Sequence, residues 1–270
     1  MSEHILPTVK MIGIPCDFTS SHLRGAAAAP PAIRAALFGG SSNLCSEFGV
    51  DLKGNNRFID SGDLAAVENI EQYQQITHAI SELVSPTDRP LIIGGDHAIT
   101  YPVMRAIVEH HGPVNILHFD AHPDLYDNFE GNRYSHACPF ARIMEAGLAK
   151  RLVQVGIRTL NEHQSQQAEK YGVEIHAMNT FCASSFEPSF EGPVYVSFDI
   201  DGLDPAYAPG VSHHEPGGLS VREALRIIQS IDAPIIGADV VELNPERDIN
   251  GMTAMVAAKL VKELAGKMLA

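Results

Sequence analysis

The sequence predicts an α/β protein in which a mostly parallel sheet of about eight strands lies between two layers of helices, an α/β/α sandwich. Two observations support this fold class. Short apolar runs bounded by Gly and Pro alternate with longer segments of helical periodicity, which is typical of strand–helix–strand units. A chain of 270 residues with 45% hydrophobic content is also long enough for one large core. We therefore expect a single domain that spans residues 1–270.

The strands are predicted from apolar runs that are flanked by turn-forming residues. They cover residues 10–15, 57–61, 91–93, 114–119, 152–157, 172–177, 194–199 and 234–241. The third run is wholly apolar and lies between Pro90 and Gly94. This pattern is expected of a central strand that is covered by helices on both faces.

The helices are predicted from apolar residues that recur every three or four positions. The first begins near Pro30 and ends before Gly39, and the others cover residues 67–84, 100–111, 140–147, 161–171, 221–231 and 251–269. Gly112 is the predicted end of the third helix, and Ser220 is the predicted N-cap of the sixth.

The charge and the N-terminal segment limit the partners and the location of the protein. A net charge of −14 argues against nucleic acid or an anionic membrane surface, because both select clustered Lys and Arg. The first ten residues lack the basic flank and the apolar core of a signal peptide, so we expect a cytosolic enzyme. The four cysteines form no CxxC pair and are predicted to be reduced, structural thiols.

Acidic and imidazole side chains follow three predicted strands at the point where each strand ends. Asp120, His122 and Asp124 occupy every second position after the run 114–119, so they would share one face of an extended chain. Two other strands end in the same way, with Asp96 and His97 after 91–93 and with Asp199 and Asp201 after 194–198. Because ligands bind at the carboxyl ends of strands in open α/β sheets, we expect these side chains to meet in one crevice.

Six of these side chains offer the oxygen and nitrogen ligands that suit first-row metal ions. The predicted ligands are His97, Asp120, His122, Asp124, Asp199 and Asp201. A lone DxH or DxD motif is usually a capped loop or a turn, but three such motifs at three strand ends favour a metal site. Six ligands are too many for one structural ion, so we predict two divalent ions, Mn²⁺ first, with Co²⁺, Ni²⁺ and Fe²⁺ as alternatives. His118 is predicted to be a hydrogen-bonded core residue and not a ligand.

Three motifs carry a resemblance to a known family. They are GGDH at 94–97, DAHPD at 120–124 and SFDIDGLDPAYAPG at 197–210, and they resemble the signatures of the ureohydrolases, the arginases and agmatinases. The segments RGAAAAPPAIRAAL, SHHEPGGLS and GADVVELNPERD are similar to plant-type arginases, so the resemblance extends along the chain. It implies an arginase-like fold and a homo-oligomer, either a trimer or a hexamer.

The resemblance also implies a hydrolase that splits a small cationic guanidino substrate into urea and an amine. Two divalent ions would lower the pKa of a water molecule toward neutrality. Asp124 would receive and pass on a proton, His136 would shuttle protons, and Glu242, at the end of the last strand, would hold the guanidinium. His136, Tyr126 and Asn132 are further predicted contacts of the substrate.

Two loops are candidates for the border of the active site. The resemblance places residues 17–25 at the rim, where Asp17 and Ser21 would reach the substrate, although an ordinary loop is favoured. The long Gly- and Pro-rich stretch at 202–219 is predicted to be an active-site loop. His213 and His214 lie in it without an assigned role.

The substrate has several candidates. Animal-type arginases have Asn where this chain has Tyr126, which removes one contact with an amino-acid head group, but plant-type arginases share this departure. We therefore rank L-arginine, giving ornithine, before agmatine. Formiminoglutamate would require an additional Arg near the rim, for which Arg133 is the nearby candidate. A non-catalytic scaffold or regulatory homologue of the same fold is the alternative from another class, but such proteins typically lose ligands that are present here.

Overall fold

Eight strands form the centre of the computed structural model, which describes residues 6–270. They are β1 (Thr8–Gly13), β2 (Phe58–Asp63), β3 (Asp88–Ile93), β4 (Val114–Phe119), β5 (Ala149–Val155), β6 (Glu174–His176), β7 (Val194–Asp199) and β8 (Ile235–Val241). Their order in the sheet is β2-β1-β3-β8-β7-β4-β5-β6, and all of these pairings are parallel. The predicted sheet is confirmed. Residues 1–5, the first half of the N-terminal segment from which the cytosolic location is predicted, lie outside the described residues.

Seven α-helices of the described chain cover the two faces of this sheet. They are α1 (Ala29–Leu37), α2 (Ile70–Leu83), α3 (Thr100–His111), α4 (Pro139–Glu145), α5 (Glu162–Tyr171), α6 (Val221–Ser230) and α7 (Met252–Leu269). Helix α7 packs against α1 and α6 on one face, and α3 packs against α2 and α4 on the other. Between residues 6 and 270, no helix is both long and apolar enough to cross a membrane.

The central strands alternate their side chains between two hydrophobic clusters, one under each helical layer. In β3, Leu91 and Ile93 belong to one cluster and Ile92 to the other, and all three are fully buried. Successive side chains of a strand point to opposite faces, so a strand buried on both faces must be apolar throughout. This arrangement explains the continuous apolar runs of the sequence and confirms the three-layer fold.

Local capping residues set several helix boundaries. The Asn69 side chain accepts a hydrogen bond from the Gln72 amide and therefore starts α2 at Ile70, three residues later than predicted. Ser220 caps α6 as predicted and forms a capping box with Glu223. A short 3-10 turn at Ile200–Gly202 directly follows β7, and another at His97–Ile99 is separated from the end of β3 by three residues. These turns carry predicted site residues.

The carboxyl ends of four adjacent strands, β3, β8, β7 and β4, define the site. Phe119 of β4 pairs with Phe198 of β7, and Asp199 of β7 pairs with Val241 of β8. The last residues of these strands therefore lie side by side at one edge of the sheet. Gly95 makes the turn after β3 possible, because its φ is +87° and a Cβ atom there would lie 2.7 Å from the carbonyl oxygen of Ile14.

Candidate metal centre

The structure brings the six predicted metal ligands together at the carboxyl ends of β3, β4 and β7. Five of these side chains are at most 9% exposed, and His122 is 30% exposed. All ion pairs that these aspartates form in the described chain are with histidines. Four buried carboxylates without Lys or Arg partners require positive charge from another source.

One half of the cluster is centred on His97. Its Nδ1 atom lies 3.1 Å from Asp120 Oδ2 and 3.2 Å from both Asp124 Oδ2 and Asp199 Oδ2. Three carboxylate oxygens therefore surround one ring nitrogen. Among the described residues, this nitrogen has no hydrogen-bond partner.

A chain of hydrogen bonds behind His97 determines which of its ring nitrogens carries the proton. The Ser197 hydroxyl donates to Asp239 Oδ1 at 2.7 Å, so its oxygen is available to accept from His97 Nε2 at 2.9 Å. Asp239 is fully buried and also accepts from Thr100 and Tyr195. With the proton on Nε2, the lone pair of Nδ1 points at three carboxylates, which is favourable only with a cation between them.

The other half of the cluster is centred on His122. Its Nδ1 atom lies 3.1 Å from Asp201 Oδ2 and 3.3 Å from Asp120 Oδ1. Asp120 thus presents one oxygen to His97 and the other to His122. Asp120, His122 and Asp201 form one compact group of donors, and the oxygens of Asp124 and Asp199 lie with Asp120 around His97 in a second group. Two adjacent groups of this kind fit two divalent ions and not one.

His118 lies beside the cluster but its ring nitrogens are both engaged elsewhere. Gln154 Nε2 donates to the Pro123 carbonyl oxygen and approaches His118 Nδ1 at 2.9 Å, so Nδ1 must accept. The proton is then on Nε2, which donates to Asp120 Oδ2 at 2.9 Å. The geometry supports the interpretation of His118 as a hydrogen-bonded core residue.

The protonation equilibria of the cluster show the effect of crowding. Burial and the neighbouring Asp120 raise the pKa of Asp124 to about 7, and burial with Asp201 raises the pKa of Asp199 well above its usual value. Burial lowers the pKa of His122, but Asp201 and Asp120 outweigh it and raise this pKa to about 12. The protons retained by Asp124, Asp199 and His122 thus reduce the net negative charge of the cluster. Divalent ions would supply the same charge without protonating the ligands.

Glu242 and His136 lie next to the cluster and contact each other. His136 Nδ1 donates to Glu242 Oε1 at 2.9 Å, and the His97 amide donates to the same oxygen at 3.0 Å. Ser21 lies on the opposite side of the His136 ring, with its hydroxyl 2.8 Å and its amide nitrogen 3.2 Å from Nε2. Glu242 has a φ of +65°, a strained conformation for a non-glycine residue.

A cavity of about 230 Å³ opens onto this group and is lined by Asp124, His136, Glu242 and Tyr126. Tyr126 packs 4.9 Å from Phe129, and its hydroxyl accepts from Asn161 Nδ2. Asn132 lies in a turn outside the cavity lining, where its side-chain oxygen accepts from the Tyr134 amide. The structure therefore places Tyr126, but not Asn132, where a substrate would bind.

Several residues of the site were not singled out by the sequence. Ser197, Gln154 and Asp239 hold the histidines, yet none of them follows a strand end. Asp239 is a single acid within the apolar run of β8, and a fully buried acid of this kind requires partners, which is a signal that could have identified it. His213 lines the cavity, with its ring 5.4 Å from that of His136 and 5.7 Å from that of His122.

The site combines a cluster of carboxylate and imidazole groups at the carboxyl ends of parallel strands with a cavity that is lined by a further carboxylate, Glu242. This combination is typical of a metal-dependent hydrolase. Comparison with known proteins specifies the class further. The model of the arginase family matches residues 7–266, and the chain belongs to this family. Its members hydrolyse guanidino C–N bonds, and membership together with the His and Asp cluster implies a binuclear site for divalent ions.

Individual relatives are similar over almost the whole chain. The chain is 50% identical to "Arginase 1, mitochondrial" of Arabidopsis thaliana in an alignment 279 positions long that covers 97% of this chain and 81% of that protein. It is 48% identical to "Arginase 2, chloroplastic/mitochondrial" of the same plant over 97% of this chain and 80% of that protein. The solved structure of arginase from Medicago truncatula superposes with a TM-score of 0.91 at 47% identity, covering 98% of this chain and 88% of that one. The arginase-like fold is confirmed.

The expected cytosolic location is wrong by the same comparison. Three of the similar plant arginases, from Arabidopsis thaliana and Medicago truncatula, are named as mitochondrial or as chloroplastic and mitochondrial proteins, and these names contradict the expectation. The expectation depended on the absence of a secretory signal pattern in the first ten residues. That pattern distinguishes secreted proteins, and transit peptides to organelles have a different composition.

Proposed function

We propose that the protein hydrolyses L-arginine to urea and ornithine and that two Mn²⁺ ions occupy its metal centre. The observation that carries this proposal is the position of Glu242, a buried carboxylate in the wall of the cavity that holds Asp124, His122 and Asp201. A planar guanidinium bound to Glu242 would have its carbon next to the metal cluster. The names of the plant relatives agree with this substrate.

The six ligands would hold two ions. Asp124 and Asp199 lie beside His97, Asp201 lies beside His122, and Asp120 presents one oxygen to each of these two histidines. When bound, the ions would lower the pKa of a water molecule toward neutrality, so that hydroxide is available near neutral pH to react with the guanidinium carbon. Mn²⁺ is favoured by the carboxylate-rich donor set.

Glu242 would bind and orient the substrate. Burial raises its pKa, but His136 outweighs that effect, so the pKa lies below its usual value and the carboxylate is charged at neutral pH. Oε1 is held by the His97 amide and by His136 Nδ1. These bonds fix the carboxylate plane before the substrate arrives, which reduces the entropic cost of orienting the guanidinium.

Asp124 and His136 would move protons. Asp124, whose carboxyl lies at the cavity wall, is placed to accept the proton that the attacking water loses. Burial lowers the pKa of His136, but Glu242, Asp96 and Asp124 raise it to about 9, so the ring can carry a proton at neutral pH. Protonated His136 would donate to the leaving amine, which would otherwise depart as an unstable anion.

Agmatine is the second candidate because none of the described residues that line the cavity is a Lys or an Arg. Tyr126, Phe129, Thr159 and Gln164 are uncharged members of this lining, and none of them carries the positive charge that would select an α-carboxylate. Neutral groups can bind a carboxylate through hydrogen bonds, but they discriminate less strongly against a substrate without a carboxylate than a charged partner would.

The test compares urea release from equal concentrations of arginine and agmatine by the Mn²⁺-loaded protein. We expect a larger kcat/KM for arginine. A larger kcat/KM for agmatine would reverse the order of substrates, and no urea from either compound by a fully metal-loaded protein would favour the non-catalytic reading.

We also propose that residues 1–270 act as one domain and that copies of the chain assemble into a trimer or a hexamer. The proposal of an oligomer is supported by the resemblance to the family. Light scattering on the purified protein would decide it, since a monomeric mass would contradict the assembly.

A further inference from the structure

The loop at residues 17–25, which follows β1, is tied to the turn that carries a metal ligand. The hydroxyl groups of Thr19 and Ser20 donate to Asp96 Oδ2 at 2.6 and 3.2 Å. Asp96 is fully buried, and its amide donates in return to the Cys16 carbonyl oxygen at 2.7 Å. Asp96 directly precedes His97. The loop and the metal centre are therefore held by the same turn.

The far end of the 17–25 loop is also fixed. Asp17 Oδ2 accepts from the Gly25 amide at 2.7 Å and closes the loop on itself. The hydroxyl of the buried residue Ser212, in the 202–219 loop, donates to the Leu23 carbonyl oxygen at 3.0 Å. A loop that is bonded at both ends presents its central residue in a defined position. That central residue is Ser21.

The amide N–H and the hydroxyl of Ser21 both contact one atom, Nε2 of His136. The amide N–H of Ser21 points at this nitrogen from 3.2 Å, so Nε2 accepts in the neutral ring. The hydroxyl oxygen lies 2.8 Å away and can either donate to Nε2 or accept from it, because a hydroxyl does both. The other ring nitrogen, Nδ1, donates to Glu242. Proton exchange by this ring must therefore take place at Nε2.

Ser21 is also the point at which the ring approaches water. His136 is 8% exposed, whereas Ser21 is an exposed residue at the cavity mouth. The titratable groups around His136 are Glu242, Asp96, Asp124 and His213. Ser21 adds no charge to this set, so its removal changes the contacts of the ring and leaves the surrounding charges in place.

We propose that Ser21 is a positioning residue that orients His136 and links its Nε2 atom to solvent through the serine hydroxyl. The inference rests on the shuttle role proposed above for His136. Outward transfer passes the Nε2 proton to Oγ while the hydroxyl proton goes to a water molecule, and inward transfer reverses both movements. The serine is neutral before and after each transfer.

Ser21→Ala tests the hydroxyl and keeps the amide. In the Mn²⁺-loaded enzyme we expect kcat for urea release to fall about 10-fold, since one relay group supplies part of the effect of general acid–base catalysis. The KM for arginine and the bound Mn²⁺ should stay unchanged. Ser21→Thr, which restores a hydroxyl, should recover most of kcat. Ser81→Ala, which removes a hydrogen-bonded hydroxyl from α2, is the matched control and should behave as wild type.

Combination with His136→Ala separates this inference from the proposed function. If Ser21 acts through His136, Ser21→Ala has no further effect in the His136→Ala background. Independent, multiplying effects of the two substitutions would overturn the inference, as would a rise in KM at constant kcat in Ser21→Ala. If His136→Ala turned over at the wild-type rate, the shuttle role of His136 itself would be rejected. If His136→Ala were slow while Ser21→Ala turned over at the wild-type rate, only the role of Ser21 would be rejected.

Discussion

Asp120 presents one carboxylate oxygen to each half of the site, with Oδ2 3.1 Å from His97 Nδ1 and Oδ1 3.3 Å from His122 Nδ1. The histidines themselves are oriented from behind, His97 by Ser197 and His118 by Gln154. At the scale of single residues, the site therefore consists of the candidate ligands, of the Glu242 carboxylate and of the hydrogen bonds that orient His97 and His118. Glu242 and these hydrogen bonds each lead to a prediction.

Glu242→Gln should weaken substrate binding while the metal centre stays intact. Glutamine keeps an oxygen that can accept from the His97 amide and from His136 Nδ1, but it lacks the charge that pairs with a guanidinium. Loss of one partner of a buried charge pair lowers binding by roughly 100-fold or more. We expect kcat/KM for arginine to fall by about that factor. Steady-state kinetics with elemental analysis would show it, and unchanged KM would place the guanidinium elsewhere.

Gln154→Leu should weaken metal binding although Gln154 touches no ligand. The substitution keeps the volume and removes the amide that holds His118 Nδ1, so His118 no longer donates reliably to Asp120. Loss of such a supporting hydrogen bond typically reduces metal affinity by about 10-fold. Titration calorimetry with Mn²⁺ measures it. Gln167→Leu, at another buried glutamine, is the control, and equal affinities in the two variants would contradict the role of Gln154.

At the scale of elements, most strands and helices could be predicted because each central strand is buried on both faces and most helices have one buried and one exposed face. Boundaries were less predictable. β3 begins at Asp88 and includes Pro90, which was read as a boundary. The proline is tolerated because β8 pairs with β3 only from Leu91 onward, so no hydrogen bond to β8 is lost. Sequence patterns do not show where a neighbouring strand begins.

The sequence identified the six candidate ligands because each follows a strand end, where local spacing is informative. It could not identify the supporting contacts, because they join residues far apart in the chain. Gln154 lies on β5 and His118 on β4, and they meet only through strand pairing. Asn132 is a predicted substrate contact, but its side-chain oxygen accepts from the Tyr134 amide within the same turn. Local sequence does not determine the direction of a loop side chain.

The turn after β5 is where the backbone itself supports the cluster. Gly156 has a φ of +95°, and a Cβ atom there would lie 2.7 Å from the carbonyl oxygen of Asp120. Gly156→Ala should therefore lower the free energy of unfolding by about 1–3 kcal/mol beyond the cost of the backbone strain, and it should displace Asp120. Gly147→Ala, at a φ of +64° with open space around the Cβ position, is the control for strain alone. Chemical denaturation of both proteins compares them, and equal losses would contradict the contact.

At the scale of the whole molecule, the buried carboxylates make the stability of the metal-free protein depend on pH. Burial and like charge raise the pKa of Asp124 to about 7, and burial with Glu242 raises that of Asp96 to about 6. Between about pH 4 and 7 the unfolded chain loses these protons while the folded chain retains them, so rising pH favours unfolding. His136, with a pKa raised to about 9, loses its stabilising contribution as the pH rises further.

We therefore expect the melting temperature of the chelated protein to fall as the pH rises from 5 to 8. The Mn²⁺-loaded protein should show the opposite trend over the same range, because metal ions displace protons from their ligands and bind more tightly as the pH rises. Thermal denaturation in a series of buffers, with and without chelator, measures both. A metal-free protein that became more stable with rising pH would contradict the assigned direction of these pKa shifts.

The central claim is that residues distant in sequence form a binuclear metal centre, and the most direct test is to count the ions. Elemental analysis of the catalytically active protein, after removal of free metal, gives the number of ions bound to each chain. The donor groups around His97 and His122 predict about two Mn²⁺ ions per chain. Full activity with fewer than about one ion per chain would contradict a centre in which both groups act together.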